Sequence, residues 1–385
     1  MSTPLRRRDA IVVGARPAGA ATAMLLARGG HDVLVLESAR PGTDTLSTHA
    51  LMRGAVVQLE RWGLLPAVVA AGAPAVTTTE FHYGDDVVSV AARPGTTPLR
   101  APRRTVLDPI LTDAARAAGA QIVFGARVTG LLRDGRGRVT GVEYVERGTR
   151  TPVRAHAAVV VGADGRRSTV AEDVDAPVEH AGEASSAVLY SYVPELPDDR
   201  YRWHYRPGLT AGVIPTTGGE ACVWAGVPTA RFDALRGDLE GGYRALLTEA
   251  APDVELGPGP LRVRGFPGVP GFVRTAGGPG WALVGDAGYF KDPLTAHGIT
   301  DALRDAELLA RALLGSSDRT RADALRDYQD TRDRLSADLA ALTERIASYR
   351  WDLAELRELL PALSRAMRPE VEALRALDPP TSLAA

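Results

Sequence analysis

Three groups of glycine and acidic residues, far apart in the chain, have the types and spacing to hold a nucleotide. In the first, Gly14, Ala15, Arg16, Ala18 and Gly19 make a tight turn whose backbone N–H groups suit a pyrophosphate. Glu37, followed by Ser38, stands where a ribose hydroxyl would be bound. Arg16 occupies the place of the central glycine in G-x-G-x-x-G, where backbone normally approaches the pyrophosphate. The second group is Gly162-Ala163-Asp164-Gly165, in which Asp164 accepts from a sugar hydroxyl or serves as a plain turn aspartate. In the third, Gly285-Asp286 precedes Pro293 and a helix start at His297-Gly298-Ile299-Thr300. Free amides there suit an anion or an electron-rich carbonyl, or simply cap the helix. Proton removal from a substrate calls for a group titrating near neutrality, which directs attention to histidine. His49 and His297 fall in or beside these loops and His82 in a sheet-like segment; each is a base or a structural hydrogen-bonding residue. Tyr289 is a donor or packing.

These residues need elements to position them. Residues 10–37, AIVVGARPAGAATAMLLARGGHDVLVLE, read as strand, glycine turn, helix, strand and terminal acid. Ala10 to Val13 is a buried strand, and Gly19 lets the helix pack closely, with Ala23 and Leu26 on its inner face. Gly30 ends the helix and Val33 to Leu36 form the second strand. The pattern predicts further helices from Leu51 to Trp62 and from about Asp108 to Ala118. Ala157 to Val161 is the kind of continuous apolar strand found inside a sheet covered on both faces. Residues 76–100 alternate and turn, predicting a short antiparallel sheet. Residues 181–265 gather Tyr190, Tyr192, Tyr201, Trp203, Tyr205 and Trp224 among alternating strands, as sheet core or as the wall of a flat apolar pocket. Beyond about Ser316 the chain is helical and highly charged, read first as a solvated face and otherwise as a lid or dimer surface, with a loose tail at Asp378-Pro379-Pro380.

The expected fold class is therefore α/β in three parts. A discontinuous nucleotide domain takes residues 1–75, 101–180 and 266–315. A mainly antiparallel β-sheet substrate domain is inserted at 76–100 and 181–265, and C-terminal helices occupy 316–385. A chain of 385 residues is long enough for two or three domains. Its net charge of −2 gives no reason to expect nucleic acid or an anionic membrane as partner. The start, MSTPLRRRDAIVVG, carries no apolar segment with a cleavage site, and no stretch approaches the roughly 20 apolar residues that span a bilayer. A cytoplasmic monomer or homodimer is expected. Cys222 is the only cysteine, which excludes an internal disulfide and any cysteine-based metal cluster, and no metal site is expected. Lys291 is the only lysine, so any lysine chemistry has one candidate.

Taken in order, the three motifs resemble the flavoprotein aromatic hydroxylase superfamily, related to geranylgeranyl reductase-like enzymes and flavin-dependent halogenases. The match covers most of residues 8–315. Asp44–His49 (DTLSTH), Ala101–Asp108 (APRRTVLD) and GDAGYFKDPLTAHGITDA resemble a bacterial subgroup of FAD-dependent oxidoreductases. The resemblance implies a Rossmann-like FAD-binding domain, with Gly14, Gly19 and Glu37 on the ADP half. It places Arg104, Val128 and Gly165 against the cofactor, Asp286 beside Gly285 on the ribityl chain, and Pro293, Gly298 and Ile299 near the ring. Of the adjacent Arg103 and Arg104, at most one reaches a phosphate, and Arg104 is the choice. The implied reaction is hydroxylation of an apolar or aromatic small molecule of secondary metabolism. NAD(P)H, directly or through a separate flavin reductase, would reduce FAD, and O2 would act through a flavin C4a-hydroperoxide. The alternative is a reductase or dehydrogenase of the geranylgeranyl reductase type. A halogenase needs a lysine in a separate chamber and the W-x-W-x-I-P signature, which is absent. A flavin-binding scaffold without turnover is the remaining reading.

Overall fold

A computed structural model describes residues 7–194, 196 and 199–379. The first six residues of the basic start, and the tail from Pro380 onward, lie outside them. One sheet has eight strands. Its main path runs Gly277–Gly278, Trp281–Leu283, Val153–Gly162, Arg7–Val13, Val33–Glu37 and Gln121–Phe124. The central four are parallel, and Val13 pairs with both Leu36 and Gly162 while Gly162 pairs with Leu283. Near-continuous apolar runs form these strands because both faces are covered, and Ile11, Val12, Val35, Val160 and Val161 are fully buried. The register brings four strand ends to one level. Gly14, Ala163-Asp164, Gly285-Asp286 and Glu37 therefore all emerge at the carboxyl edge, where open α/β sheets bind ligands.

The helix Pro17–Arg28 follows the first strand and is buried on nearly every side, not only at Ala23 and Leu26. It lies between the sheet and the helices Arg104–Ala117 and Gly298–Leu314, so an apolar surface all round is what its place requires. Two glycines make the approach possible. Gly14 has φ +102°, and a Cβ there would sit 2.4 Å from the Ala163 carbonyl oxygen. A Cβ at Gly19 would sit 2.0 Å from the Gly14 carbonyl oxygen. The helix expected from Leu51 is Arg53–Arg61, and the one expected from Asp108 begins earlier, at Arg104. Its first turn is braced by the Arg104–Asp108 pair four residues apart.

A second sheet of seven strands runs Arg264–Phe266, Ser186–Pro194, Glu220–Pro228, Leu209–Pro215, Arg200–Arg206, Thr78–Tyr83 and Asp86–Ala91. Residues 78–91 are thus a hairpin joined to this sheet, through one parallel pairing in which Trp203 faces Phe81. Alternation divides its two faces. Val188, Tyr190, Trp203 and Trp224 pack with Tyr349 and Trp351, while Leu189, Val213 and Val223 pack under the helix Leu239–Ala250. A third, three-stranded sheet joins Val178–Ala181, Phe272–Arg274 and Tyr289–Phe290.

The C-terminal helices Arg321–Ala347, Leu353–Ala366 and Arg368–Ala376 are not a solvated face. Leu325, Tyr328, Leu335, Leu339 and Ile346 form a buried stripe that the high charge content conceals. The last helix also delivers Glu370, 1% exposed, to a buried ionic cluster on Gly298–Leu314. Arg304, fully buried, donates to Glu370 (3.0 Å), Asp301 (3.1 Å) and Asp305 (2.7 Å). Removing one partner of such a cluster strands the others in a dry interior. Arg304→Met is expected to destabilise the protein by about 3–5 kcal/mol, read from urea unfolding; a loss below 1 kcal/mol, roughly the scale of an exposed pair, would show the cluster to be dispensable.

Candidate functional site

A cavity of about 610 Å³ opens along the carboxyl edge of the parallel sheet. Gly14, Arg16, Ala18, Glu37, Ser38 and Val128 line one end. Arg104, Asp164, Gly165 and Asp286 line the middle, and Pro293, Gly298 and Ile299 lie beyond them. The second sheet closes the far end with Val188, Tyr190 and Phe266, beside Phe290. Ala15, Gly19 and Gly285 stand behind the wall. The Ala15 N–H donates to Glu37 (2.8 Å), Gly19 packs on the turn, and Gly285 packs on Ala18.

Charge along this wall is arranged in pairs. Asp108 accepts from Arg16 (2.9 Å) and, with both oxygens, from Arg104 (2.7 and 3.1 Å). One carboxylate thus fixes two arginines at the cavity, a role its place four residues after Arg104 could have suggested. Arg103 turns the other way, to Glu220 and Asp44, with its guanidinium 3.4 Å from the Tyr192 ring centroid. Position 16 has φ −76°, a conformation open to any residue, so the turn does not demand glycine there. Asp164 is engaged by its own short helix, accepting from Ser168 Oγ (2.5 Å) and the Thr169 N–H (2.7 Å). Asp286 is different: among the described residues its carboxylate accepts no hydrogen bond. Burial pushes its pKa up to about 6, against the pull of Lys291, Arg104 and Arg166.

None of the four candidate proton-transfer residues lies on the cavity wall. His49, with φ 64°, turns its ring away and pairs Nε2 with the Tyr192 hydroxyl (2.6 Å), while Thr48 and Ala50 beside it do line the cavity. Burial, then Arg104 and Arg103, lower its pKa to about 3, so it is neutral. His297 is enclosed by Asp301 (3.1 Å) and Glu370 (3.6 Å), and burial with Lys291 and Arg304 holds it uncharged. His82 stacks on His204 in the second sheet, ring centroids 4.0 Å apart. Tyr289 is buried beneath Lys291. Lys291 reaches the cavity wall but is ion-paired with Asp301. His297, Asp301 and Glu370 come within 4.8 Å of one another, yet Lys291 and Arg304 already neutralise the two carboxylates, so the group does not call for a metal. Cys222 is fully buried, its thiol pushed up to about 12, as packing requires. Of the aromatic group, Tyr190 reaches the cavity and Tyr201, Trp203, Tyr205 and Trp224 are core.

The wall fits an FAD molecule on its own terms. No side chain caps the helices starting at Pro17 and Gly298, so the N–H groups of Ala18 and Gly19 in one and of Gly298 and Ile299 in the other are free for phosphate or a ring carbonyl. The glycine cradle leaves no room for a Cβ, and Asp286 offers an unengaged acceptor between them. Fold and wall together define an FAD-dependent oxidoreductase. Residues 7–228 match the FAD binding domain family, and the chain belongs to it. It is 31% identical over 345 residues to digeranylgeranylglycerophospholipid reductase 2 of Methanopyrus kandleri, covering 84% of this chain and 81% of that one. It is 28% identical over 339 residues to the menaquinone reductase of Mycolicibacterium smegmatis, covering 80% and 76%. Its fold is similar to that of PqsL, a probable FAD-dependent monooxygenase from Pseudomonas aeruginosa, with TM-score 0.78, 22% identity and coverage of 92% and 100%. Among the described residues, no helix is long and apolar enough to cross a membrane.

Asp286 carries a pH signature. A carboxyl whose folded pKa is raised binds its proton more tightly when folded, so its contribution is full at low pH and is lost as pH rises to about 6. Asp286→Asn is expected to remove up to roughly 3 kcal/mol of that loss between about pH 4 and 6. Asp292, also raised to about 6, stays in both proteins and cancels in the comparison. Unfolding free energies of the cofactor-free proteins across this range check it, and parallel slopes would refute it.

Proposed function

We propose that this protein is an FAD-dependent monooxygenase that draws electrons from NAD(P)H and inserts oxygen from O2 into an apolar or aromatic small molecule. The observation that carries the reading is the far end of the cavity. There Val188, Tyr190, Phe266 and Phe290 from the second and third sheets line the cavity and pack in one apolar cluster with Leu294 and Ala296, beside Pro293. When bound, reduced FAD supplies electrons to activate oxygen, or a hydride. The chain's part is to hold the cofactor, exclude water and orient a flat substrate against the ring. In this reading Gly14 and the start of the following helix hold the pyrophosphate, Glu37 the ribose, Asp286 the ribityl chain, and Gly298 and Ile299 the ring. His49 serves by fixing Tyr192, since a neutral buried imidazole is a hydrogen-bond partner and a poor cation. Halogenation is disfavoured because the one lysine is committed to Asp301.

The reductase reading has its own support, from the two reductases to which the chain is 31% and 28% identical. The purified protein is expected to take up FAD, turn yellow and turn over NADPH or NADH continuously only with O2 present, forming peroxide without substrate. Anaerobic reduction of menaquinone or of a geranylgeranyl lipid would move the assignment to the reductase. Oxidation of neither nucleotide, with turnover restored by photoreduced flavin, would assign the electrons to a separate flavin reductase.

Arg16, about 29% exposed and steadied by Asp108 and the Thr43 carbonyl, is read as a partner of the FAD phosphates. Arg16→Gly is expected to weaken FAD binding by about tenfold at low salt and by less as salt rises. Equal affinity of both proteins across the salt series would remove that contact.

A further inference from the structure

Most arginines around the cavity are already paired. Arg16 and Arg104 share Asp108, Arg103 holds Asp44 and Glu220, and Arg264 holds Asp44 (3.0 Å). Arg127 and Arg167 line the cavity but are exposed, so water satisfies them. Arg166 is the exception. It follows the Asp164-Gly165 turn, lines the cavity half-buried, and has its guanidinium 4.7 Å from the Phe266 ring centroid. Among the described residues no carboxylate or carbonyl accepts a hydrogen bond from it. Burial and Arg167 disfavour its charge, and Asp286 favours it only at longer range.

The surface below it is built by strand register. Val188 pairs with Phe266 and Tyr190 with Arg264 across the antiparallel strands Ser186–Pro194 and Arg264–Phe266. Residues two apart share a face, so Val188, Tyr190 and Phe266 form one apolar strip on the cavity wall. Arg264 lies 3.4 Å from the Tyr190 hydroxyl and steadies it. The strip thus has an aromatic floor, a fixed phenol at one position and an unpaired guanidinium over Phe266. The guanidinium carbon lies over that ring, and among the described residues its N–H donors have no protein acceptor. Its planar donor fork opens on the cavity and matches a carboxylate.

We propose that the ligand of this apolar end of the cavity is a flat or extended carboxylic acid whose carboxylate is bound by Arg166 while its apolar body lies on Val188, Tyr190 and Phe266. This rests on the FAD oxidoreductase reading above and specifies its substrate class. Arg166 is a specificity-determining residue rather than part of the cofactor's hold.

The test is calorimetric titration of the FAD-loaded protein with benzoate, 2-naphthoate and decanoate, and with the three corresponding carboxamides. The wild type is expected to bind at least one acid about tenfold or more tighter than its amide. Arg166→Gln is expected to erase that preference while leaving amide binding and FAD affinity within about twofold, and Arg166→Lys to restore part of it. Absence of acid preference across all three pairs, or its survival in Arg166→Gln, overturns the proposal. So does a large loss of FAD or NADPH affinity in Arg166→Gln with acid preference intact, which would give the guanidinium to a cofactor phosphate. Failure of the wild type to take up FAD would instead defeat the oxidoreductase reading itself. The visible spectrum and thermal unfolding of each variant separate lost binding from lost fold.

Discussion

The site depends on the alignment of parallel strand ends. Val13 is level with Gly162 on one side and Leu36 on the other, and Gly162 is level with Leu283. Residues from four distant parts of the chain therefore leave the sheet at one edge. A slip of one residue in any of these pairings would turn a strand's side chains to the opposite face. It would also carry Glu37, Asp164 or Asp286 away from the cavity. The fully buried valines and alanines of these strands hold that alignment through packing, and the glycines at 14 and 19 let the first helix begin close against it.

On that edge the chain assembles two unlike halves. The nucleotide half offers backbone donors and acids, with arginines tied in pairs by Asp108. The other half is a mainly antiparallel sheet that contributes aromatic and aliphatic side chains to the cavity. Asp44 joins the two, accepting from Arg103 and Arg264. The apolar end of the cavity lies where these halves meet, so its shape follows from how they are joined rather than from either sheet alone.

Much of this was legible in the sequence. Glycine spacing and continuous apolar runs report local constraints, which is why residues 10–37, the Asp164 turn and the Gly285–Ile299 segment read correctly as elements at a sheet edge. The aromatic strands between 181 and 265 also read as one antiparallel sheet, although the parallel pairing that adds 78–91 depends on contacts no local pattern encodes. The histidines read less well. Whether His49 or His297 meets the cavity or the wall behind it turns on one left-handed backbone position and on Glu370, which arrives from the last helix. The C-terminal stripe was hidden for a related reason. Its buried leucines are spaced among many charges, so composition reported solvent where periodicity would have reported core.

The cluster on Gly298–Leu314 has a consequence for the order of assembly. Arg304, Asp301 and His297 belong to the segment that shapes the Gly298 end of the cavity, but their remaining counter-charge sits on Arg368–Ala376. As the chain leaves the ribosome, the strands, glycine turn and second sheet emerge well before that last helix. Without that helix, Arg304 and His297 would lose the Glu370 carboxylate that faces both of them. In the folded chain the Gly298 end of the cavity thus takes its final charge balance from the helix that is made last among the described residues.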